Sequence, residues 1–414
     1  MFESRSNVEK IPPGTFGIQA SEEVKIPLTE MQFLGPYRLI IKLSGLDCSV
    51  VALSRVNYSL RIRSWITQIF ALLIISLIVL RCYTLFQLKG QSMSFQWAES
   101  GMFAFMGVQS IECAVCIYSW TKKDFISNHL EKLEHIRSLR LKNNENLDNY
   151  TYLHLKIFGW TFLWSVITMA HAIASAIEGK VILSGNDIYP IIYFGMPCVT
   201  LLVCFHVSAF LNCYFIVNSS LTREIEYFNL ELENIQKTKQ LHKPDVLLEF
   251  SHRQAELISF VRNANKSLGS YTFTTPISMF NACINGVYIF FAYHDDLPLI
   301  QAVILSLNVF ATLFMTFFSL RAASKVQVHI EDTSRILMES QEFETCEDSD
   351  AINTYHLMID RSLRHTAKLR VLGGIPICPA TFNIAMFFIP SLGTLLAFVK
   401  KSLHTYGLNM EHHH

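Results

Sequence analysis

Long apolar runs alternate with polar, charged segments along the chain. A helix that crosses a bilayer needs about 20 mostly apolar residues, and seven stretches meet this requirement. The predicted spans are residues 64–86, 97–119, 157–177, 188–217, 270–293, 299–320 and 377–399. The first, sixth and seventh are the clearest, because Glu112 interrupts the second and His171 interrupts the third. The pattern predicts an all-α membrane protein with seven transmembrane helices.

The segments that follow spans two, four and six are long and charged, and they are not irregular loops. Apolar residues recur there at steps of three and four, which is the period of an amphipathic helix. The predicted helical stretches are residues 124–142, 222–236, 246–261 and 354–372. Their apolar stripes must be buried, and we expect a compact helical anchor bundle beside the membrane, within one subunit or between subunits.

The composition supports lipid as the solvent for much of the chain. Hydrophobic residues make up 51% and charged residues only 16%, whereas soluble proteins carry about a quarter charged residues. The 34 basic and 34 acidic residues balance, so the basic excess of an ordinary nucleic-acid binder is missing. No phosphate loop, HExxH or GxSxG motif occurs in the soluble segments. We therefore expect no enzyme, no cofactor and no nucleic-acid partner.

Basic residues are distributed unequally between the two sides of the predicted membrane. The N-terminal region and the three long segments hold 29 Lys and Arg, and the opposite side holds only four: Lys89, Lys180, Lys400 and Lys401. Loops rich in Lys and Arg stay in the cytoplasm. The charges therefore predict a cytoplasmic N-terminus and a short extracellular tail. We expect the chain to be a multi-pass protein of the plasma membrane.

Several polar residues fall inside the predicted spans, where ionisable groups are costly and need partners. Arg81 and Glu99 have similar heights, so they could form an ion pair with a structural role or a role in a pocket. An outer pocket with an aromatic body and a few polar groups is the pattern of a small-molecule site. Its predicted residues are Arg81, Trp97, Glu99, His171, Tyr189, Tyr193, Asn285 and Tyr288.

Glu112 and His206 are both expected near the inner third of the membrane. A contact between this carboxylate and imidazole could be structural or could couple movements of two helices. It does not suggest a metal site, since no third ligand has a helical spacing to either residue.

Seven spans, a cytoplasmic N-terminus and a long charged segment before the last span resemble the insect-type gustatory and odorant receptor family. That family has a last-span motif of Thr-Tyr, five apolar residues and Gln-Phe. The corresponding stretch here is Thr381-Phe382, then residues 383–387, then Phe388-Ile389. The Gln-Phe half is absent, and the chain continues further past the motif. These departures resemble the nematode gustatory-receptor-like branch, which includes light and hydrogen-peroxide receptors.

The resemblance implies a ligand-gated, non-selective cation channel in which four copies of the last span line a central pore. The gate would lie at Ala385 and Phe388, on a helical stripe that also includes Thr381, Leu392 and Leu395. Bulky apolar residues at a constriction can close a pore by dewetting it. The implied partners are three further copies of the chain, lipid, cations, and a small-molecule or physical stimulus. Sugars, bitter compounds, peroxide and light all stay open.

These considerations divide the chain into an N-terminal cytoplasmic segment (1–63), six spans with helical extensions (64–321), anchor helices (322–376), the pore helix (377–399) and a tail (400–414). Two other functions are considered. A G-protein-coupled receptor would have its N-terminus outside and would carry Asp-Arg-Tyr and Asn-Pro-x-x-Tyr motifs, which are missing. A secondary transporter built from inverted repeats would show internal repetition, and none is visible.

Overall fold

The fold is almost wholly α-helical in the part of the chain that the structure describes. The structure is a computed structural model that describes residues 29–47, 58–87, 92–140, 150–182, 189–343, 348–363, 370–371, 375–376 and 379–411. Its helices there are α1 (Glu30–Leu34), α2 (Tyr37–Leu43), α3 (Tyr58–Gln87), α4 (Phe95–Lys122), α5 (Phe125–Ser138), α6 (Thr151–Ile182), α7 (Tyr189–Lys237), α8 (Pro244–Ala292), α9 (Leu299–Met338), α10 (Ser349–Leu363) and α11 (Pro379–Glu411). Two short strands, β1 (Arg370–Val371) and β2 (Ile375–Pro376), pair antiparallel between α10 and α11.

Among the described residues, five helices are long and apolar enough to cross a membrane. The five stretches are Ile62–Thr84, Phe95–Lys122, Thr151–Ile177, Pro197–Lys237 and Leu299–Met338. They contain or overlap the predicted spans one, two, three, four and six. Span five corresponds to a shorter apolar stretch, Ile277–Ala292, and span seven lies in α11, where many side chains are outside the described part. The chain is a multi-pass membrane protein, and the count of seven spans stays a prediction.

Three helices are much longer than a membrane is thick. Helices α7 and α8 have 49 residues each and α9 has 40. At a rise of 1.5 Å per residue the two longest extend about 73 Å, against a hydrocarbon layer of about 30 Å. Their polar ends therefore project from the membrane together with α5 and α10. We call this projecting region the polar half; it comprises α5, α10 and residues 218–237, 244–269 and 321–338.

The polar half is a bundle within a single chain, built on the predicted amphipathic stripes. Ile225, Phe228, Leu232 and Ile235 of α7 are all buried. Helix α10 lies against α8, where the Gln254 side chain donates to the carbonyl of Met358 and the hydroxyl of Ser362, both at 2.8 Å. The expectation of a packed bundle is confirmed for one chain, and contacts between chains are a separate question.

The last amphipathic helix was predicted with wrong limits. The expected helix covered residues 354–372, but α10 runs from Ser349 to Leu363, and Arg370 and Val371 belong to β1. The helix therefore begins five residues before the predicted start, and the predicted range extends into a strand.

The described part of the N-terminal segment packs against the long helices. Helix α1 starts with a capping box between Thr29 and Gln32, and both short helices pack on α7. The Tyr37 hydroxyl donates to the carbonyl of His154 at 2.7 Å, and His154 Nε2 donates to the carbonyl of Phe33 at 2.8 Å. The predicted boundary at residue 63 falls inside α3, and the boundary at residue 399 falls inside α11, so neither divides the structure.

Candidate functional site

The predicted pocket residues gather around the first turns of α4. Side chains at steps of four lie on one face of a helix, and α4 uses two such faces. Trp97 and Gly101 face α8, whereas Glu99 and Phe103 face α6. Ser94 caps the start of α4 by accepting from the backbone of Trp97 at 3.0 Å, which sets the direction of both faces.

The face towards α8 is aromatic. The rings of Trp97 and Tyr288 meet edge to face with centroids 6.2 Å apart. The Tyr288 hydroxyl donates to the carbonyl of Met93 at 2.6 Å, and the Tyr293 hydroxyl donates to the same oxygen at 2.8 Å. One turn deeper, a Cβ on Gly101 would lie 3.3 Å from Nδ2 of Asn285. The absence of a side chain at Gly101 therefore lets α4 approach the Asn285 amide.

The face towards α6 is polar and hydrogen-bonded. The Ser175 hydroxyl donates to Glu99 Oε1 at 2.6 Å. His171 stacks on Phe103 with centroids 5.1 Å apart, and its Nδ1 accepts from the Asn308 amide at 2.9 Å. An amide nitrogen can only donate, so His171 is neutral here with its proton on Nε2. The carbonyl of Asn308 in turn accepts from the Thr168 hydroxyl at 3.1 Å.

The ion pair that Arg81 and Glu99 could have formed is absent, because the two side chains have different partners. The guanidinium of Arg81 is buried and donates to the Thr200 hydroxyl of α7 at 2.9 Å. Glu99 is directed instead at α6. Similar height along two helices does not make two side chains neighbours, because the rotation of each helix decides which neighbour a side chain faces. Tyr189 and Tyr193 have side chains outside the described part of the structure.

The predicted contact between Glu112 and His206 is wrong. Each ring nitrogen of His206 lies within hydrogen-bond distance of a backbone carbonyl oxygen, Nδ1 at 2.8 Å from Leu202 and Nε2 at 3.1 Å from Ser44, so the nitrogen that carries the proton donates to a carbonyl and not to Glu112. The Glu112 carboxylate accepts from the thiol of Cys116 at 3.4 Å, one turn along its own helix. His206 therefore joins α7 to the residue that caps α2, a partner that span patterns alone could not provide.

Sequence reasoning missed two polar residues that join the spans. Gln109 of α4 donates to the Thr275 hydroxyl at 2.9 Å and accepts from the Ser278 hydroxyl at 2.7 Å, all in the buried interior. Asn308 joins α9 to α6. Both are uncharged amides within apolar runs, so a search limited to ionisable groups passes over them. An amide side chain within a predicted span could have identified both residues, since a buried polar group needs a hydrogen-bond partner.

Helix α11 packs on α8 along one narrow face. Ile389 is 1% exposed, and a Cβ on Gly393 would lie 2.6 Å from a methyl carbon of Val287. On the predicted pore stripe, Phe388 is 59% exposed, Leu395 is 54% exposed and Leu392 is half-buried. Thr381 and Ala385 have side chains outside the described part. The helix runs unbroken through Pro390, and its apolar outer side is uncovered in a single chain.

Comparisons with known proteins give one family and one fold. The sequence model of the family described as "Caenorhabditis protein of unknown function, DUF267" matches residues 33–393. A sequence comparison with curated proteins gives no match. A structure of the insect olfactory receptor OR5 from Machilis hrabei, in complex with eugenol, has a TM-score of 0.63 at 11% identity and covers 88% of this chain and 100% of that chain. A second structure of OR5 has a TM-score of 0.55 at 11% identity, with 87% and 99% covered. The expected resemblance to insect receptors is thus confirmed at the level of the fold.

Proposed function

This chain belongs to the DUF267 family of Caenorhabditis proteins, and we propose that it is a subunit of a chemosensory, stimulus-gated cation channel. The observation that carries the proposal is the similarity to an insect olfactory receptor over the whole length of that receptor. A likeness that covers 88% of this chain and all of the receptor supports a shared architecture. The cytoplasmic N-terminus is proposed from the unequal distribution of basic residues.

The exposure of α11 supports a role at a subunit interface or pore. Phe388 and Leu395 are large apolar side chains with more than half of their surface uncovered. In the proposed homotetramer, four copies of α11 surround one axis, and the stripe of Phe388 and Leu395 lines it. Phe388 stands where the last-span motif of the insect-type receptors has a polar glutamine. The gate would then be closed by an apolar ring, which excludes water and ions until the ring widens.

The stimulus site is proposed in the outer half around α4. The residues Trp97, Glu99, His171, Asn285 and Tyr288 surround the first two turns of that helix, and they combine ring faces with amide, imidazole and carboxylate groups. Small-molecule sites combine an apolar body with a few polar groups in this way. The eugenol complex of OR5 supports a small molecule as the class of ligand, and peroxide or light remain the other stimuli to test.

Whole-cell recording tests the proposal directly. The Phe388→Ala variant is expected to raise the basal cation current several-fold, because a smaller side chain weakens the apolar closure. The matched control is Phe387→Ala, which removes the same ring from a neighbouring position that is 78% exposed and faces about 100° away. The control is expected to leave the basal current unchanged.

Two results would contradict the proposal. The gate would not lie on α11 if wild type, Phe388→Ala and Phe387→Ala gave equal currents with all three proteins at the cell surface. Substrate uptake without unitary currents would identify a transporter instead.

A further inference from the structure

A groove runs between α5 and α8 at the membrane end of the polar half. Each helix contributes residues at steps of one helical turn, so the two stripes face each other across the groove. The polar lining residues are Lys123, Asn128, Lys132, Asn263, Lys266 and Ser267. The three lysines and Asn128 are exposed, and none of the described lining residues carries a carboxylate. The rim of the groove is therefore cationic and rich in hydrogen-bond donors.

The floor of the groove is aromatic and uncharged. His129 stacks on Phe260 with ring centroids 4.7 Å apart, and Phe125 lies against His129 at 5.8 Å. His129 Nε2 lies 2.9 Å from the Ser220 hydroxyl, which itself donates to the carbonyl of Val217 at 2.7 Å. Burial, with a smaller contribution from Lys132, lowers the pKa of His129 to about 3. The positive charge at this site therefore belongs to the lysines, and Phe125 is the least buried of the three rings in the floor.

The position of the groove along the helices corresponds to the edge of the membrane. Lys123 directly follows α4, whose apolar stretch ends at Lys122. The indole N–H of Trp120 donates to the carbonyl of Ser267 at 3.1 Å, which brings Ser267 and the adjacent Lys266 to the level of the last turn of α4. Tryptophan is enriched at membrane–water interfaces. The groove thus lies where lipid headgroups begin.

We propose that this groove binds the headgroup of an anionic phospholipid that carries several phosphate charges. The ammonium groups of Lys123, Lys132 and Lys266 would bind the phosphates, the amides of Asn128 and Asn263 would donate further hydrogen bonds, and the aromatic floor would contact the glycerol and upper acyl region. Basic pockets beside membrane helices recognise such headgroups. The assignment of the groove to the cytosolic leaflet rests on the proposed function, because it assumes a cytoplasmic N-terminus.

Lipid binding to the purified full-length chain tests the inference without any current, so its failure is separate from failure of the channel proposal. The probe is dioctanoyl phosphatidylinositol bisphosphate in detergent, and the comparison ligands are dioctanoyl phosphatidylcholine and free inositol trisphosphate. The chain is expected to bind the anionic lipid, and replacing Lys123, Lys132 and Lys266 together with Gln is expected to weaken binding at least about tenfold, as loss of three phosphate contacts predicts.

The matched control replaces Lys237, Lys239 and Lys243 with Gln. These lysines lie around the turn between α7 and α8, at the far end of the polar half, so the net charge change is identical and binding should change little. Equal weakening by both triple variants would overturn the site, and equally tight binding of free inositol trisphosphate would overturn a lipid as the occupant.

A footprint on the unsubstituted chain keeps the test independent of variant folding. Acetylation of Lys132 and Lys266 by a water-soluble reagent should slow when the anionic lipid is present, whereas acetylation of Lys237 should not. Unchanged acetylation of Lys132 and Lys266 at saturating lipid would overturn the inference.

Discussion

His129 shows how a single buried side chain takes its state from its neighbours. Its ring is enclosed by Phe33 of α1, Phe125 of its own helix and Phe260 of α8. The Ser220 hydroxyl already donates to a backbone carbonyl, so His129 must donate to Ser220 and carries its proton on Nε2. The N–H group of the neutral ring thus has a hydrogen-bond partner. A charged ring would be unfavourable, because it would be buried among aromatic side chains and close to the positive charge of Lys132.

A pH dependence of stability follows from this neutral imidazole. The pKa of His129 is lowered from 6.5 to about 3 by burial, so between these values the unfolded chain binds a proton that the folded chain does not. The stabilising contribution is complete above pH 6.5 and decreases as the pH falls towards 3, by at most about 1.4 kcal/mol per pH unit. Unfolding measured in detergent should show this slope, and His129→Phe should reduce it.

His135 is the control for this measurement. It lies on the same helix with an exposed ring, and His135→Phe should leave the slope in place. If both variants have the wild-type slope, other groups account for the acid sensitivity.

The buried ion pair between Arg140 and Glu224 joins the end of α5 to α7. Arg140 Nε donates to Glu224 Oε2 at 2.9 Å, a second contact makes the pair bidentate, and the guanidinium lies 3.9 Å from the centroid of the Tyr227 ring. Both side chains are 2% exposed. Each of two charges buried away from water is stabilised mainly by the other, because the loss of one partner leaves the remaining charge buried and uncompensated.

Glu224→Gln is therefore expected to lower the free energy of unfolding by about 3–5 kcal/mol, measured by denaturant titration in detergent. The comparison is Glu233→Gln on the same helix, which breaks an exposed pair with Lys237 and should cost less than about 0.5 kcal/mol. Similar losses in the two variants would mean that the Arg140 pair contributes no more than a surface pair.

At the scale of helices, the missing side chain of Gly393 allows α11 and α8 to approach closely. A Cβ on Gly393 would lie 2.7 Å from Cβ of Val287 and 3.1 Å from the carbonyl oxygen of Ile284. Those atoms belong to or adjoin the backbone of α8, so they cannot move aside as the end of a long side chain can. Close helix contact at small residues is a common way to join helices in lipid, where water does not drive association.

Gly393→Ala is expected to destabilise the contact between α11 and α8 by about 1–3 kcal/mol, the usual cost of an overpacked interior. Gly159→Ala is the matched control: Gly159 lies on α6 with nothing within 4 Å of the added carbon, and alanine is the better helix former. Thermal unfolding in detergent should show a lower midpoint for the first variant and an equal or higher one for the second. The reverse order would contradict the packing described.

At the scale of the whole molecule, a membrane half and a polar half share the same three long helices. Helices α7, α8 and α9 pass from one half to the other without a break, and the polar half is held by buried pairs such as Arg253 with Glu231. The outer end of α11 is held to α8 through Lys400, whose Nζ lies 3.2 Å from the centroid of the Tyr293 ring. Helix α8 is therefore the long helix through which α11 is mainly connected to the polar half.

The proposed orientation and assembly predict two results for the intact protein. An epitope tag at the N-terminus should be stained only after permeabilisation, whereas a tag at the C-terminus should be stained on intact cells, which controls for surface delivery. Particles purified in mild detergent should have fourfold symmetry. N-terminal staining on intact cells, or a monomer as the only species, would contradict the proposed channel.

The sequence by itself determined where the apolar helices lie and which stripes of the polar helices are buried. Both follow from local periodicity: about 20 apolar residues predict a span, and steps of three and four predict a buried stripe, as at Leu232 and Ile235. The outer-half residues Trp97 and Tyr288 were also predicted to be near each other, because depth along a helix can be counted in residues. The predicted arrangement of spans, together with a partial motif at Thr381 and Phe382, indicated the receptor family whose fold the chain shares.

Only the tertiary structure decided which polar groups meet. Arg81 pairs with Thr200 rather than Glu99, and His206 binds the carbonyl of Ser44 rather than Glu112, because counting residues gives the depth of a side chain but neither the rotation of its helix nor its neighbours. The place of α1 and α2 against α7 was equally beyond the sequence. Such contacts join residues more than a hundred positions apart, and they are set by how whole helices pack.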